Sequence, residues 1–361
     1  MKFHEVIAGT WRDNVLFTVL IELTYRCNLD CFFCYNDLSQ RGKPMRLDDY
    51  IKVLDDLAAM QVMTITLSGG EPLAHPDFFE IGKAARQRGF VVRIKSNGHA
   101  LRNDLARRVQ DEIDPFIIEI SLHGGSAKTH DRQTRIPGSF ERLLENLKGF
   151  RDLGLRFKLN SALTVWNEGE IREMFAIADS LGATLQFDPT VTPRDDGNVE
   201  PLDIAASPDG LRSLVRIQFE RARQSGSSDP NVQRPAQDAD LAPPGPEKHC
   251  GAGSSTIAID PFGNVYPCVA WRSAVGNLHN ASIQEIWTDP TLLPEFRQAT
   301  VAAKDMLESE GTLGTYLAFC PGLAVNRTGR PDIIPDEQRE RGKTLRNAFE
   351  SELVNSERET K

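Results

Sequence analysis

Between residues 16 and 189 the chain alternates short apolar, β-rich runs with stretches whose apolar positions recur at helical spacing. Residues 16–21 read as a buried strand, after which Ile51, Leu54, Leu57, Ala58 and Met60 mark one face of a helix. A second strand is expected over 63–67, ended by Ser68-Gly69-Gly70, and a helix over 79–88 is closed by Gly89. Strands follow at 91–95, 117–122, 157–164 and 184–188, with helices at 140–153 and 171–181. Six βα units in succession predict an α/β fold with a parallel sheet curled into a full or partial barrel.

Active groups in such folds sit at the C-terminal ends of the strands. A loop with three cysteines follows the first strand and Gly69-Gly70-Glu71 the second; Ser96-Asn97-Gly98 follows the third and Ser121-Leu122-His123 the fourth. Glycines after strands are usually turn punctuation. Four polar constellations converging on one mouth point instead to a site.

Beyond a helix expected at 211–223, residues 225–248 are rich in Ser, Pro, Asp and Gln and read as a linker or surface loop. Residues 256–260 and 265–266 flank the turn Pro261-Phe262-Gly263-Asn264 as a hairpin, which would bring Cys250 and Cys268 together. The expected organisation is a barrel over 1–224, the linker, a small second domain over 249–335, and a charged tail over 336–361 forming a surface helix with frayed ends.

Composition narrows the function classes. Hydrophobic residues make up 40% and charged residues 26% of 361, ordinary for a globular protein. A net charge of −9 argues against a nucleic-acid partner held through its phosphates. No apolar run is long enough for a membrane span, and no apolar core follows Met1-Lys2-Phe3 as a secretion signal requires, so a cytoplasmic location is expected. Six cysteines in such a chain are not a disulfide framework. They fall into two sets: Cys27, Cys31 and Cys34, and the scattered Cys250, Cys268 and Cys320.

A 4Fe–4S cluster has four iron corners, and three thiolates in one short loop hold three and leave the fourth open to a ligand. Zinc is the competing metal, but its structural sites want four ligands. The nearest histidines in sequence, His4 and His75, are distant from the loop.

The three-residue gap, the two-residue gap and the aromatic Phe33 before the last cysteine resemble the motif of the radical SAM superfamily. The resemblance implies a partial (β/α)6 barrel whose open iron chelates S-adenosylmethionine. Reductive cleavage then gives methionine and a 5′-deoxyadenosyl radical that abstracts a substrate hydrogen. It makes Cys27, Cys31 and Cys34 the catalytic cluster ligands, fed by a reductant such as flavodoxin or ferredoxin. Phe33 would meet the adenine through its backbone, and Gly69-Gly70-Glu71-Pro72 resembles the element that holds the methionine amino group. Ser96 and Asn97 resemble the polar pair near the nucleoside, and Ser121 and Arg135 match positions that bind the carboxylate in related enzymes.

The segment from Cys250-Gly251-Ala252-Gly253 to Gly263-Asn264-Val265-Tyr266-Pro267-Cys268 resembles the start of the SPASM auxiliary-cluster module. The full module has further cysteines, whereas here Gly311, Gly314 and Ala324 stand where they are expected and Cys320 stands alone. The shortened form resembles the twitch arrangement, with one auxiliary cluster on Cys250, Cys268 and Cys320. Its fourth ligand is left open among His249, an Asp, water and the substrate. If the reaction ends as an oxidation, a proton acceptor belongs in the barrel mouth, with Asp188 and His123 as strand-end candidates.

Residues 130–147 and 188–197 resemble the peptide-modifying branch, which implies crosslinking or a similar oxidation of a ribosomally made peptide. Barely fifteen residues precede the first strand, so peptide recognition is expected to need a separate protein or another surface. The alternative is dehydrogenation or epimerisation of a small molecule such as an aminosugar or cofactor precursor. A third class, a non-catalytic iron–sulfur carrier or sensor, sits poorly with so complete a set of barrel elements.

Overall fold

The apolar runs become the strands expected of them, and the interleaved amphipathic stretches become helices, in a computed structural model that describes residues 3–37, 39–225 and 247–359. Helix α1 (Phe3–Asp13) leads into β1 (Thr18–Glu22), α2 (Leu47–Ala59), β2 (Thr64–Ser68), α3 (Phe78–Gln87) and β3 (Val91–Ser96). Then come α4 (Asn103–Arg108), β4 (Ile117–Ser121), α5 (Ala127–Thr134), α6 (Ser139–Leu153), β5 (Phe157–Ala162), α7 (Ile171–Ser180), β6 (Leu185–Asp188) and α8 (Pro208–Ser225). The C-terminal part adds β7 (Thr256–Ile259), β8 (Asn264–Tyr266), β9 (Gly276–Asn277), α9 (Ile283–Thr288), α10 (Pro294–Ser309), α11 (Pro321–Thr328) and α12 (Asp336–Glu359).

Strands β1 to β6 are parallel neighbours in sequence order, which makes the partial six-stranded barrel. Alternation along each strand sorts its side chains. Val92, Ile94, Ile118, Ile120 and Leu159 are buried in the apolar core. Their neighbours Lys95, Glu119, Ser121, Lys158 and Asn160 line a cavity on the other face. Each fully buried Ile or Leu stabilises the fold by about 1.5–3 kcal/mol, so the apolar layer anchors the polar one in register.

The structure departs from expectation in three places. The hairpin of the second domain does not stand apart: β7 pairs in parallel with β1, from Thr18 opposite Thr256 to Ile21 opposite Ile259, and β8 and β9 continue the same sheet. The charged tail is the helix expected from 336, but it is packed rather than only on the surface: α12 buries Leu345, Ala348 and Phe349, with Phe349 edge-on to Phe219 of α8 at 5.6 Å. Its sparse apolar positions are diluted among charges, which hid that face. Helix α5, with the sequence AKTHDRQT, has no apolar period to announce it; the Ser126 side chain caps it by accepting from the Thr129 N–H. The expected linker lies outside the described residues over 226–246. Among the described residues no helix is long and apolar enough to cross a membrane.

Candidate functional site

The cysteine loop is held by backbone on both sides. Past the end of β1, the Gly70 N–H donates to the Thr24 carbonyl at 2.7 Å and the Glu71 N–H to the Arg26 carbonyl at 3.0 Å. That approach requires glycine: Gly69 has φ +132°, and a Cβ on Gly70 would lie 2.7 Å from the Tyr25 and Arg26 carbonyl oxygens. Both glycines therefore admit the loop's own backbone. On the far side, the Asp30 and Phe32 N–H groups donate to the Thr134 and Gln133 carbonyls at 3.1 and 3.0 Å. Arg135, in the left-handed region at φ +57°, lies over the Phe32 ring at 4.9 Å and pairs with Asp30 at 3.5 Å.

The ends of β2 and β3 are tied by Glu71. Its buried carboxylate accepts from the Ser96 hydroxyl at 3.0 Å, the Asn97 N–H at 2.9 Å and the Leu73 N–H at 3.2 Å. Burial outweighs these bonds and pushes its pKa up to about 7. Asn97, so fixed, donates its amide to Asn28 at 2.7 Å and lies 3.6 Å from Cys27 Sγ. Pro72 opens the short helical turn that Glu71 caps. Glu71, Ser96 and Asn97 are thus joined, and Asn97 reaches the first cysteine.

Cys27, Cys31 and Cys34 are unbridged and close enough for mutual electrostatic coupling, and the Cys34 N–H donates to the Cys31 carbonyl at 3.1 Å. Burial pushes all three thiols up. Ligation needs thiolates, so metal must displace the protons. Among the described residues no three His, Cys, Asp or Glu side chains converge as a single-ion site requires. A cluster differs in taking one thiolate at each of several irons.

The second set comes from three segments. The Gly253 N–H reaches the Pro267 carbonyl at 2.9 Å, joining the Cys250 turn to Cys268. His249 Nε2 donates to the Phe319 carbonyl at 2.8 Å, joining Cys250 to the Cys320 segment. Gly322 closes the triangle, because a Cβ there would lie 2.6 Å from the Ala270 carbonyl. Burial pushes Cys250 up to about 12 and raises Cys268 and Cys320, with mutual coupling among the three. Gly314, where a further cysteine was expected, sits against the Leu307 carbonyl with no room for any Cβ.

A cavity of about 730 Å³ is lined by residues next to Cys34 and next to Cys268, though by none of the six cysteines. Phe33, Tyr35 and Ser121 line it from the barrel, Val269 and Ala270 from the loop after Cys268, and Leu345 and Phe349 from α12. His123 also lines it, edge-on to Phe33 at 4.6 Å, and burial lowers its pKa to about 3. Asp188 lines it with a raised pKa, again from burial. A second cavity, of about 800 Å³, opens beside Tyr25, Arg26, His75 and Phe262.

One cluster escaped the sequence reading. Arg272 forks onto Glu22 at 2.8 and 2.9 Å, and its Nε pairs with Asp195 at 2.9 Å. The Tyr25 and Tyr35 hydroxyls also donate to Glu22, at 3.2 and 3.4 Å. Burial pushes Asp195, a cavity residue, up to about 7. A glutamate ending an apolar strand was the available signal; its partners arrive from 173 and 250 residues away.

The Radical SAM superfamily model matches residues 21–178, and the SPASM iron–sulfur cluster-binding domain matches 250–309, ending before Cys320. Mycofactocin maturase MftC of Mycobacterium ulcerans is 30% identical over 88% of this chain and 86% of that protein. AdoMet-dependent heme synthase of Methanosarcina barkeri is 26% identical over 83% and 89%, and PqqA peptide cyclase of Gluconobacter oxydans 28% over 78% of each. Native anSMEcpe with bound AdoMet shares the fold at a TM-score of 0.72 and 16% identity, over 96% of this chain and all of the other. Streptococcus suis SuiB bound to precursor peptide SuiA does so at 0.69 and 15%, over 93% and 79%.

Proposed function

We propose, for a chain that belongs to the Radical SAM superfamily and carries its SPASM iron–sulfur domain, that it oxidatively modifies a ribosomally made peptide by crosslinking or a similar step. The observation that carries this reading is likeness over more than three quarters of the chain to a mycofactocin maturase and a PqqA peptide cyclase. The family's resident groups are a 4Fe–4S cluster with S-adenosylmethionine and auxiliary iron–sulfur clusters. Two sets of three unbridged thiols have the donor chemistry to hold them. When bound, the first cluster supplies the electron that splits S-adenosylmethionine into methionine and a 5′-deoxyadenosyl radical, and an auxiliary cluster offers an acceptor for the electron an oxidised substrate gives up.

In this reading Cys27, Cys31 and Cys34 hold three irons and leave one for the cofactor, while Cys250, Cys268 and Cys320 hold one auxiliary cluster. Glu71 acts by fixing Ser96 and Asn97, and so the amide beside Cys27. The backbone of 69–72 and Phe33, with Ser121, Asn97 and Arg135, would hold the methionine, adenine and carboxylate ends. Asp195 is the better proton acceptor: it lines the cavity with a pKa near neutrality, whereas His123, lowered to about 3, is too weak a base. A flavodoxin or ferredoxin would deliver the electron, and a separate protein would present the peptide.

The test is mass spectrometry of any short peptide encoded beside the gene after anaerobic incubation with reconstituted enzyme, reductant and S-adenosylmethionine. A loss of about two hydrogens' mass, absent with Cys27→Ala, is expected. An unchanged peptide with 5′-deoxyadenosine still forming would favour the second reading, a cofactor precursor as substrate, for which the likeness to a heme synthase speaks.

A further inference from the structure

The floor of the cavity carries more positive charge than the protein neutralises. Register lays Lys95, Glu119 and Lys158 side by side across β3, β4 and β5. The Glu119 carboxylate, 6% exposed, is already held by Arg93 and by the Asn160 amide at 3.2 Å. Lys95 and Lys158 stand off from it at 3.8 and 3.6 Å, and Lys158 lies 3.5 Å from the Gln186 side-chain oxygen. Three cations therefore face one carboxylate. An ammonium has three N–H donors, and among the described residues neither lysine makes a hydrogen bond shorter than 3.5 Å. Of the other acids lining this cavity, Asp188 accepts from the Thr190 N–H at 2.8 Å and faces Arg341 as well as Lys95, and Asp195 is held by Arg272. Burial lowers the Lys158 pKa; Glu119 opposes this, and the fields of Arg93 and Lys95 add to it.

We propose that this row is a carboxylate-recognition site, so that the substrate is an acidic one whose carboxylate docks between Lys95 and Lys158 beside Asn160. Asn160, two residues beyond Lys158 on β5, puts an amide beside the same space. A planar carboxylate spans two ammonium groups and accepts from both neighbours, and such charge-assisted bonds are the strong ones. The inference rests on the peptide reading for the source of the carboxylate, either the peptide's C-terminus or an acidic side chain.

The experiment is equilibrium binding to the anaerobically reconstituted enzyme with S-adenosylmethionine, read by saturation-transfer NMR. The probes are acetyl-Gly-Gly-Ala-Gly-Gly as free acid, the same peptide as its amide, acetyl-Gly-Gly-Glu-Gly-Gly amide, and glutarate. One of the two carboxylate peptides should bind about tenfold or more tighter than the neutral amide, and which one does so identifies the source. The preference should vanish in Lys95→Met/Lys158→Met, where Arg93 and Asn160 still hold Glu119; circular dichroism and iron content check that this variant is folded and loaded. Lys95→Glu, at a half-exposed position, should reverse the order of acid and amide. Glutarate binding that depends on the lysines while no peptide binds would uphold the row and remove the peptide reading. Equal binding of acid and amide peptides would keep the peptide reading and overturn the row. No binding of any probe, or a preference that survives the double variant, would also overturn it.

Discussion

The two cysteine sets are built by opposite means. Cys27, Cys31 and Cys34 lie in one turn, and the walls around them are the next two strand ends and the end of α5. Cys250, Cys268 and Cys320 lie on three segments that meet only through tertiary contacts, the His249–Phe319 bond and the approach of Gly322 to Ala270. A local site survives disturbance elsewhere; a distributed one fails when any of its three supports shifts. The buried Arg272–Glu22–Asp195 cluster joins the two, since Glu22 ends the strand that feeds the first loop and Arg272 follows Cys268.

The sharpest way to break the comparison is at the cysteines themselves. Cys27→Ala should reduce 5′-deoxyadenosine formation to background while leaving the second cluster in place, so iron falls from about eight to about four per chain. Cys268→Ala should show the same iron loss with cofactor cleavage retained. Next in size, Arg272→Met strands two buried carboxylates and should destabilise the fold by about 3–5 kcal/mol in denaturant unfolding. Gly322→Ala should cost about 1–3 kcal/mol by overpacking, with iron lost from the second site before the first.

The smallest effect is a pH dependence. Burial raises the Asp195 pKa to about 7, so its contribution to stability is present at pH values below its unfolded pKa and is lost as pH rises through about 7. Thermal melts should therefore fall by roughly 2–4 °C between pH 5.5 and 8 on this account, and Asp195→Asn should flatten that slope.

How much of this could be read from the chain follows the same division between local and distributed. Residues 91–95, with their β-rich V-V-R-I-K run, announced a strand, which the structure extends to Ser96. Cys27 to Cys34 announced a cluster loop, because every ligand lies within one turn. That the Asn97 segment and the cysteine loop share one mouth was legible too, since parallel strand ends must meet there; the Asn97–Cys27 contact itself was not. The clasp of Arg272 on Glu22 was not, because nothing local marks two residues 250 positions apart as partners. The apolar face of α12 was masked by its charges, and Gly314 read only as a missing cysteine until the Leu307 carbonyl showed why no side chain fits.

The parallel pairing of β7 with β1 also has a consequence in time. Translation proceeds at ~5–20 residues per second, and about 240 residues separate Thr18 from its partner Thr256. The first strand of the barrel therefore emerges from the ribosome roughly 10–50 s before the strand that covers its free edge. An open edge of apolar Val19 and Ile21 is a template for pairing with other chains. Nascent chains are thus most exposed to misassembly while the C-terminal part is still being made.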